Sequence, residues 1–337
     1  MPKVRVLALV AVLAGTLLAA CTNSDDPAEL QIYSGRNENL IKPLLEEFAR
    51  ETGTDIRVRY GDTAELTPTL LEEGANTRAD VFISQDAGAL AALASRGFLA
   101  RLPKEIAEQV DPRFRDPEGR WVGLSGRARV ITYNTDALRP ADLPQSVFEL
   151  TDPKWRGKVG FPPTNASFVS WVSALIEEVG AGRTRAFLEG LKANSSRTYA
   201  NNVAAIDAVS RGEIQVALVN HYYLFNEFKE QRTAPIANYY PGQSAGGEGT
   251  FVNVAGVAVI QRSDQKKAAE RFVEYLLARK AQEYFRTQTA EYPLAAGVEP
   301  IPELRPLADI RTIDVPLSSL GEDLEASLAL LKSVGLT

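Results

Sequence analysis

The fold is indicated by residues 30–96, LQIYSGRNENLIKPLLEEFARETGTDIRVRYGDTAELTPTLLEEGANTRADVFISQDAGALAALASR. Three strand-like segments alternate here with three helical patterns: strands at 30–33, 56–60 and 80–83, helices at 38–52, 63–73 and 87–96. In the first helical pattern Ile41, Leu44, Leu45 and Phe48 recur on one face, and Gly53 ends it. This β-α-β-α-β order predicts an α/β fold with a parallel sheet covered on both faces.

A second α/β series follows it along the chain. It contains strands at 129–133, 158–161, 214–219 and 252–260, helices at about 167–179, 183–192 and 203–211, a loop at 236–250, a long helix at 264–289 and a last helix at about 321–334. Two such series predict two lobes that face each other across a cleft. Ligands collect at the carboxyl ends of strands in open α/β sheets, so we expect the binding site in that cleft.

The composition excludes several function classes. The chain has 337 residues, of which 45% are hydrophobic and 24% charged, which is typical of a globular protein. Its formal net charge of −6 argues against a nucleic-acid partner. It contains one Cys and one His, so an intrachain disulfide is impossible and zinc sites or His-dependent catalytic dyads and triads are nearly excluded.

The N-terminus has the pattern of an export signal. Lys3 and Arg5 precede an apolar run, Val6 to Ala20, which is shorter than the ~20 residues that span a bilayer. The run leads into Leu-Ala-Ala-Cys21, which resembles the bacterial lipoprotein signal; a plain signal peptide is the alternative. We therefore expect residues 1–20 to be a lipoprotein signal peptide, Cys21 to be lipidated, and 21–28 to form a tether.

A pair of tyrosines marks the candidate site. Tyr222 and Tyr223 follow a predicted strand and precede a helical pattern, so both phenols could reach one cleft. Two half-buried aromatic side chains are the ordinary interpretation of such a pair. Two phenolates would instead offer two hard anionic oxygens, which suit Fe(III).

The chain resembles the ferric-ion-binding proteins of bacterial ABC importers over nearly all of residues 30–337. The resemblance rests on six segments in order: Tyr33-Ser-Gly-Arg36, Ala79-Asp-Val-Phe82, Ser125-Gly-Arg-Ala-Arg-Val130, Pro163-Thr-Asn-Ala-Ser-Phe168, Asn220-His-Tyr-Tyr223 and Glu291-Tyr-Pro-Leu294. It implies the two-lobed periplasmic-binding-protein fold of type II, each lobe a mixed, mainly parallel sheet flanked by helices, with a hinge between them. Lobe one would comprise 29–127 and 254–303, and lobe two 128–253 and 304–337.

The same resemblance implies the site residues. Tyr222 and Tyr223 would bind iron, while Asn37 and Gln85 occupy positions where many members carry His and Glu. A synergistic anion, phosphate or carbonate, would lie at the helix start formed by Asn165, Ala166 and Ser167, with further contacts from Asn202 and Asn220; Asn165 is also a predicted N-cap. Other members carry a third Tyr at the position of Ser167, so this chain departs from the pattern at three positions.

Several residues are candidates to make up for the missing ligands. Glu38 and Asp86 are neighbouring carboxylates, and the further phenols are Tyr33, Tyr60, Tyr133, Tyr239 and Tyr240. Three arginines, Arg36, Arg127 and Arg129, are candidate partners of an anion or a ferric chelate, although ion pairs between or on the lobes are the ordinary interpretation. His221 is expected to point away from the tyrosine pair.

The implied function is transport and not catalysis. We expect a lipid-anchored monomeric receptor, in the periplasm or at the outer face of the cell membrane, that captures Fe(III) and delivers it to an ABC permease. The alternative is a receptor of the same fold for an oxyanion, a polyamine or an organic cofactor. An enzyme is a third class, against which the sequence shows no Walker A loop, no G-x-S-x-G elbow and no His-based dyad.

Overall fold

The computed structural model describes residues 29–230, 233–321 and 324–337. The predicted signal peptide, Cys21 and the tether lie outside them. The first part of the chain forms β1 (Glu29–Ser34), α1 (Glu38–Thr52), β2 (Asp55–Tyr60), α2 (Thr63–Glu73), β3 (Val81–Ser84), α3 (Ala87–Ser95), α4 (Lys104–Ala107) and β4 (Val122–Asn134). These bounds confirm the alternating order predicted for residues 30–96.

The second part of the chain supplies the remaining elements. They are β5 (Val159–Phe161), α5 (Ala166–Val179), α6 (Ala181–Ala193), β6 (Arg197–Thr198), α7 (Asn202–Ser210), β7 (Val216–Asn220), α8 (Tyr223–Glu230), β8 (Ile236–Tyr239), β9 (Val252–Val259), α9 (Lys266–Leu277), α10 (Arg279–Tyr284), β10 (Tyr292–Pro293) and α11 (Leu324–Val334). Within the described ranges, no helix is both long enough and apolar enough to cross a bilayer.

The long strand β4 joins two sheets. Its first part, 122–128, pairs with β9 in the order β2-β1-β3-β9-β4, and its second part, 129–133, pairs with β7 in the order β4-β7-β5-β6. The outer pairs of both sheets are parallel, whereas the pairs made by β4 and β9 in the centre are antiparallel. The chain thus passes between the two sheets along β4 and returns at β9, which confirms a mixed α/β fold with two lobes. The exact lobe bounds given above remain predictions.

The start, the end and the buried face of helix α1 are all determined by nearby residues. The Asn37 side chain caps its start by accepting from the Asn39 N–H at 2.9 Å, and Gly53 ends it with φ of 69° in the left-handed region. The apolar face predicted from the sequence is the buried one. Phe48 on this face meets Phe272 of α9 edge to face, with ring centroids 4.9 Å apart, so α1 is fixed against the core of its lobe.

Two predicted elements differ from the structure. The long helix predicted at 264–289 is divided, because Ala278 has extended backbone (φ −63°, ψ 152°) between α9 and α10, and a π-helical turn covers Phe285–Thr289. The loop predicted at 236–250 begins with strand β8, which pairs antiparallel with β4. The strand was missed because it covers only the first four residues of the segment, and the Pro and Gly residues that follow are typical of a loop.

Candidate metal and anion site

The two tyrosines lie where β7 ends and α8 begins, as predicted. Their rings are stacked, with centroids 4.2 Å apart and planes inclined by 29°. Tyr222 is buried and Tyr223 half-buried. Burial, and next the neighbouring Tyr223, raise the pKa of Tyr222 well above its usual value, whereas the charge of Arg127 acts in the opposite direction. A cation of high charge would be needed to deprotonate this phenol at neutral pH.

A cavity of about 430 Å³ lies in front of the pair. It brings Asn37 and Gln85 from the first lobe to the same space as Tyr222 and Tyr223 from the second, although the first two are far from the tyrosine pair in sequence. The Gln85 Oε1 atom is buried and has no hydrogen-bond partner within the protein. An unpartnered buried carbonyl oxygen beside two phenols is what a cation or a ligand donor would satisfy.

Two carboxylates of the cavity wall escaped the sequence analysis. Asp207 on α7 and Glu227 on α8 both line it. Glu227 lies four residues after Tyr223, one helical turn further along α8. This i,i+4 spacing could have indicated from the sequence that the two side chains lie on the same side of the helix. Among the described residues there is no group of three or more His, Cys, Asp or Glu side chains that could hold a metal ion. A metal site here would therefore depend on the phenols.

The predicted anion residues form one hydrogen-bonded group. Asn165 caps α5, and its Oδ1 accepts from the Ser167 N–H at 3.2 Å and from the Ser167 hydroxyl at 2.6 Å. Asn220 donates from Nδ2 to Ser167 Oγ at 3.3 Å. The group lies at the start of the 14-residue helix α5, where the positive end of the helix dipole favours an anion, although the Ser167 N–H already donates to Asn165.

Arg129 connects this group to Asn202. Its Nη2 donates to Ser167 Oγ at 2.8 Å and its Nη1 to Asn202 Oδ1 at 3.4 Å. The guanidinium is buried, and it forms no ion pair with a carboxylate of the described residues. Its Nε and the Asn202 Nδ2 have no partner within the protein. Burial, and next the charge of Arg127, lower the pKa of Arg129 to about 9. A buried cation with free donors is suited to an anion.

The other two candidate arginines have different surroundings. Arg36 forms a fully buried ion pair with Glu291 at 2.8 Å, in agreement with the ordinary interpretation, and Ser125 donates to the same carboxylate oxygen at 2.8 Å. Arg127 is buried and donates from Nη2 to the Val254 carbonyl at 3.3 Å, while its Nε has no partner within the protein. Arg127 thus adds a second positive charge near Tyr222.

The candidate substitute ligands do not reach the cavity. Asp86 accepts hydrogen bonds from Gly88, Ser170 and Asn253, and the exposed Glu38 pairs with Lys42 at 2.8 Å. None of the five further phenols lines the cavity: Tyr33, Tyr60, Tyr133, Tyr239 and Tyr240 all lie elsewhere.

His221 is occupied by the backbone, in line with the expectation that it points away. Its Nδ1 accepts from the Ala128 N–H at 3.0 Å, and its Nε2 lies 3.0 Å from the Ala290 carbonyl. Burial lowers the pKa of His221 to about 4, so the ring is neutral at pH 7 and its Nε2–H donates to Ala290.

The chain belongs to the bacterial extracellular solute-binding protein family, whose model matches residues 76–310. It is 31% identical over 328 residues to the Fe(3+)-binding periplasmic protein of Serratia marcescens, with 94% of this chain and 95% of that protein covered.

Two solved structures have a similar fold over most of the chain. Iron-bound HitA from Pseudomonas aeruginosa superimposes with a TM-score of 0.85 at 35% identity, covering 92% of this chain and 100% of that one. The Trichodesmium protein IdiA (FutA), in complex with iron and citrate ligands, gives a TM-score of 0.81 at 30% identity, covering 92% and 100%. The predicted periplasmic-binding-protein fold is thereby confirmed.

Proposed function

We propose that this protein is an extracytoplasmic receptor for Fe(III), with Tyr222 and Tyr223 as its anionic metal ligands. The observation that carries the proposal is the stacked phenol pair at one wall of an interlobe cavity. The relatives named for ferric-iron binding support it. Asn37 and Gln85 would contribute neutral oxygens from the opposite lobe, so the cargo would be held between the two lobes.

A synergistic anion would complete the site. Phosphate or carbonate would lie at the start of α5, against Asn165, Ala166 and Ser167, with Asn202 and Asn220 beside it. Arg129 supports this part of the proposal, because its charge is buried without a carboxylate partner and it already bonds Ser167 and Asn202. An anion there would offset the charges of the metal and of the guanidinium together.

The transport cycle would involve no catalytic step. The receptor would be anchored by a lipid on Cys21, act as a monomer, close its lobes on metal and anion, and release them on docking to an ABC permease. The lobes would comprise 29–127 with 254–303, and 128–253 with 304–337. Motion would concentrate where β4 and β9 cross between the two sheets.

The test is the visible spectrum of the mature protein with Fe(III), because a ferric phenolate absorbs visible light. Tyr222→Phe and Tyr223→Phe should each weaken iron binding and shift or abolish the band. Tyr240→Phe is the matched control, since this phenol bonds Tyr292 at 2.8 Å outside the cavity.

Two results would contradict the proposal. Full colour and affinity in both single variants would show that the phenols are not ligands. Binding of an oxyanion, a polyamine or an organic cofactor without any binding of iron would favour the alternative receptor.

A further inference from the structure

A buried cluster joins the two lobes beside the cavity. Asp86 is only 4% exposed and precedes α3, which packs on β3 and β9 of the first sheet. Ser170 lies on α5, which follows β5 of the second sheet, and its hydroxyl donates to Asp86 Oδ2 at 2.7 Å. Asn253 on β9, which pairs with β3 and β4 in the first sheet, donates to the same oxygen at 2.6 Å. One carboxylate oxygen thus bonds a helix of the second lobe and a strand of the first sheet.

The other contacts of Asp86 involve the start of α3 and β9 of the first sheet. Its Oδ1 caps α3 by accepting from the Gly88 N–H at 2.8 Å. Asn253 Oδ1 accepts from the Ala87 N–H at 3.2 Å, which ties β9 to the same helix start. Of the three groups that donate to the carboxylate, Ser170 alone lies on an element that packs with the second sheet; Asn253, the last residue of the predicted lobe two, pairs with Arg127 in the first sheet. Opening of the cleft would therefore break the Ser170 bond and leave the other two.

The Ser170 bond is also coupled to the anion site through helix α5. Ser167 and Ser170 are three residues apart, so both lie on the same side of the helix. A Cβ placed on Gly88 would be 3.5 Å from Ser170 Oγ, which shows how closely the start of α3 approaches α5. Gln85, the residue before Asp86, lines the cavity. The contact between the lobes thus lies in the two segments that would also hold the cargo, the one around Gln85 and the start of α5.

We infer that Asp86 is a positioning residue whose bond to Ser170 stabilises the closed lobes and slows release of the cargo. The inference rests on the proposed iron-binding function. It assigns Asp86 a role different from that of a substitute metal ligand, because both of its oxygens already accept hydrogen bonds from the protein. A hydrogen bond to a charged group that forms only in the closed state raises the population of that state.

The experiment compares Ser170→Ala with Ser173→Ala. Ser173 lies one turn further along α5 and is also buried, but its hydroxyl meets Ser327 of α11 at 2.8 Å, away from the first lobe. Release of Fe(III) from the loaded protein to excess EDTA should be about 10-fold faster in Ser170→Ala, equivalent to about 1.4 kcal/mol, and unchanged in Ser173→Ala. The visible band should keep its position in both variants, because no metal ligand changes.

A second measurement follows the contact itself, first in the iron-loaded protein, where the lobes would be closed, and then in the metal-free protein. Hydrogen exchange at the amides of Ala87 and Gly88 should become faster in Ser170→Ala than in Ser173→Ala, since the start of α3 loses its contact with α5. Equal release rates in the two variants would overturn the inference, as would a shifted visible band in Ser170→Ala. If the unaltered protein binds no iron, the proposed function is wrong. The exchange measurement then still tests the contact between the lobes, because equal exchange rates in the two variants would show that the Asp86–Ser170 bond does not stabilise the start of α3.

Discussion

Replacing Arg129 with Met should make the metal-free protein more stable and, at the same time, a poorer receptor. Arg129 is buried, and its pKa is lowered from its usual high value to about 9 by burial and next by the charge of Arg127. The folded state therefore holds this proton less tightly than the unfolded state. At pH 7 the group is charged in both states, so folding bears the full cost of the buried charge. That cost is progressively lost as the pH rises above about 9, where the folded state begins to release the proton.

The size of the effect follows from the same observations. A pKa lowered by this much corresponds to a cost of about 5 kcal/mol, at ~1.4 kcal/mol per pH unit. Met would forfeit the hydrogen bonds of Arg129 to Ser167, Asn202 and the Leu218 carbonyl, about 1 kcal/mol each. The balance is a gain of about 2 kcal/mol in the free energy of unfolding. For a chain of this size that raises the midpoint of thermal unfolding by about 3 °C.

The matched control is Arg36→Met, with the opposite sign. Arg36 is buried to the same degree but is paired with Glu291 at 2.8 Å. Removing it leaves a buried carboxylate without its partner, which should cost about 3–5 kcal/mol. Thermal and urea unfolding of both metal-free variants measures the two effects. A loss of stability in Arg129→Met comparable with that in Arg36→Met would refute the reasoning.

The functional half of this prediction is measured separately by iron titration. Buffer stripped of anions is compared with buffer containing phosphate or carbonate. In the unaltered protein the anion should tighten iron binding and iron should tighten anion binding, because linkage is reciprocal. Arg129→Met should lose most of this dependence, and retention of the full dependence would show that Arg129 does not hold the anion.

Three further predictions concern the same site and the anchor. Gln85→Glu should reduce the dependence of iron affinity on phosphate or carbonate by adding a negative charge to the cavity wall, and an unchanged dependence in iron titrations would contradict it. Loading with Fe(III) should release protons near pH 7, because burial holds the pKa of Tyr222 high; affinity should then fall with falling pH, and a pH-independent affinity between pH 6 and pH 8 would argue against a phenolate ligand. Cys21→Ser should move the protein from the membrane fraction to the soluble fraction without changing its unfolding midpoint, and unchanged membrane association would contradict lipid anchoring.

Local sequence predicted the elements whose ends and faces are set by nearby residues. Helix α1 begins at its Asn cap, ends at its Gly and buries the apolar face that its spacing indicates. The position of the tyrosine pair between β7 and α8 was predicted for the same reason. The break at Ala278 was not predicted, because the apolar spacing of the segment continues across it while the backbone does not.

Contacts between residues far apart in sequence determine the roles of the candidate residues that the sequence could not distinguish. Three arginines were equal candidates for an anion partner, and the strand register that places Arg129 opposite Asn220 distinguishes it from the others. Asp86 was a candidate ligand from its position beside Gln85 alone. The residues that donate to its Oδ2 lie 84 and 167 positions away in sequence, so no local pattern could have shown them.

The charges around the cavity explain why an exogenous anion belongs in the proposed site. Two phenolates would supply two negative charges, but Arg127 and Arg129, both buried nearby, supply two positive charges that no carboxylate of the described residues pairs with. Asn37 and Gln85 are neutral, and Arg36 is balanced by Glu291. With the buried carboxylate of Asp86, whose charge acts on Arg129, the protein groups around the metal would sum to about −1, against an ion of charge +3. Since uncompensated charge in a buried site is costly, we expect the proposed anion to supply part of the compensation, beside Asp207 and Glu227, the two carboxylates of the cavity wall. On this argument the proposed anion would be part of the cargo, and its uptake and release would be coupled to those of iron.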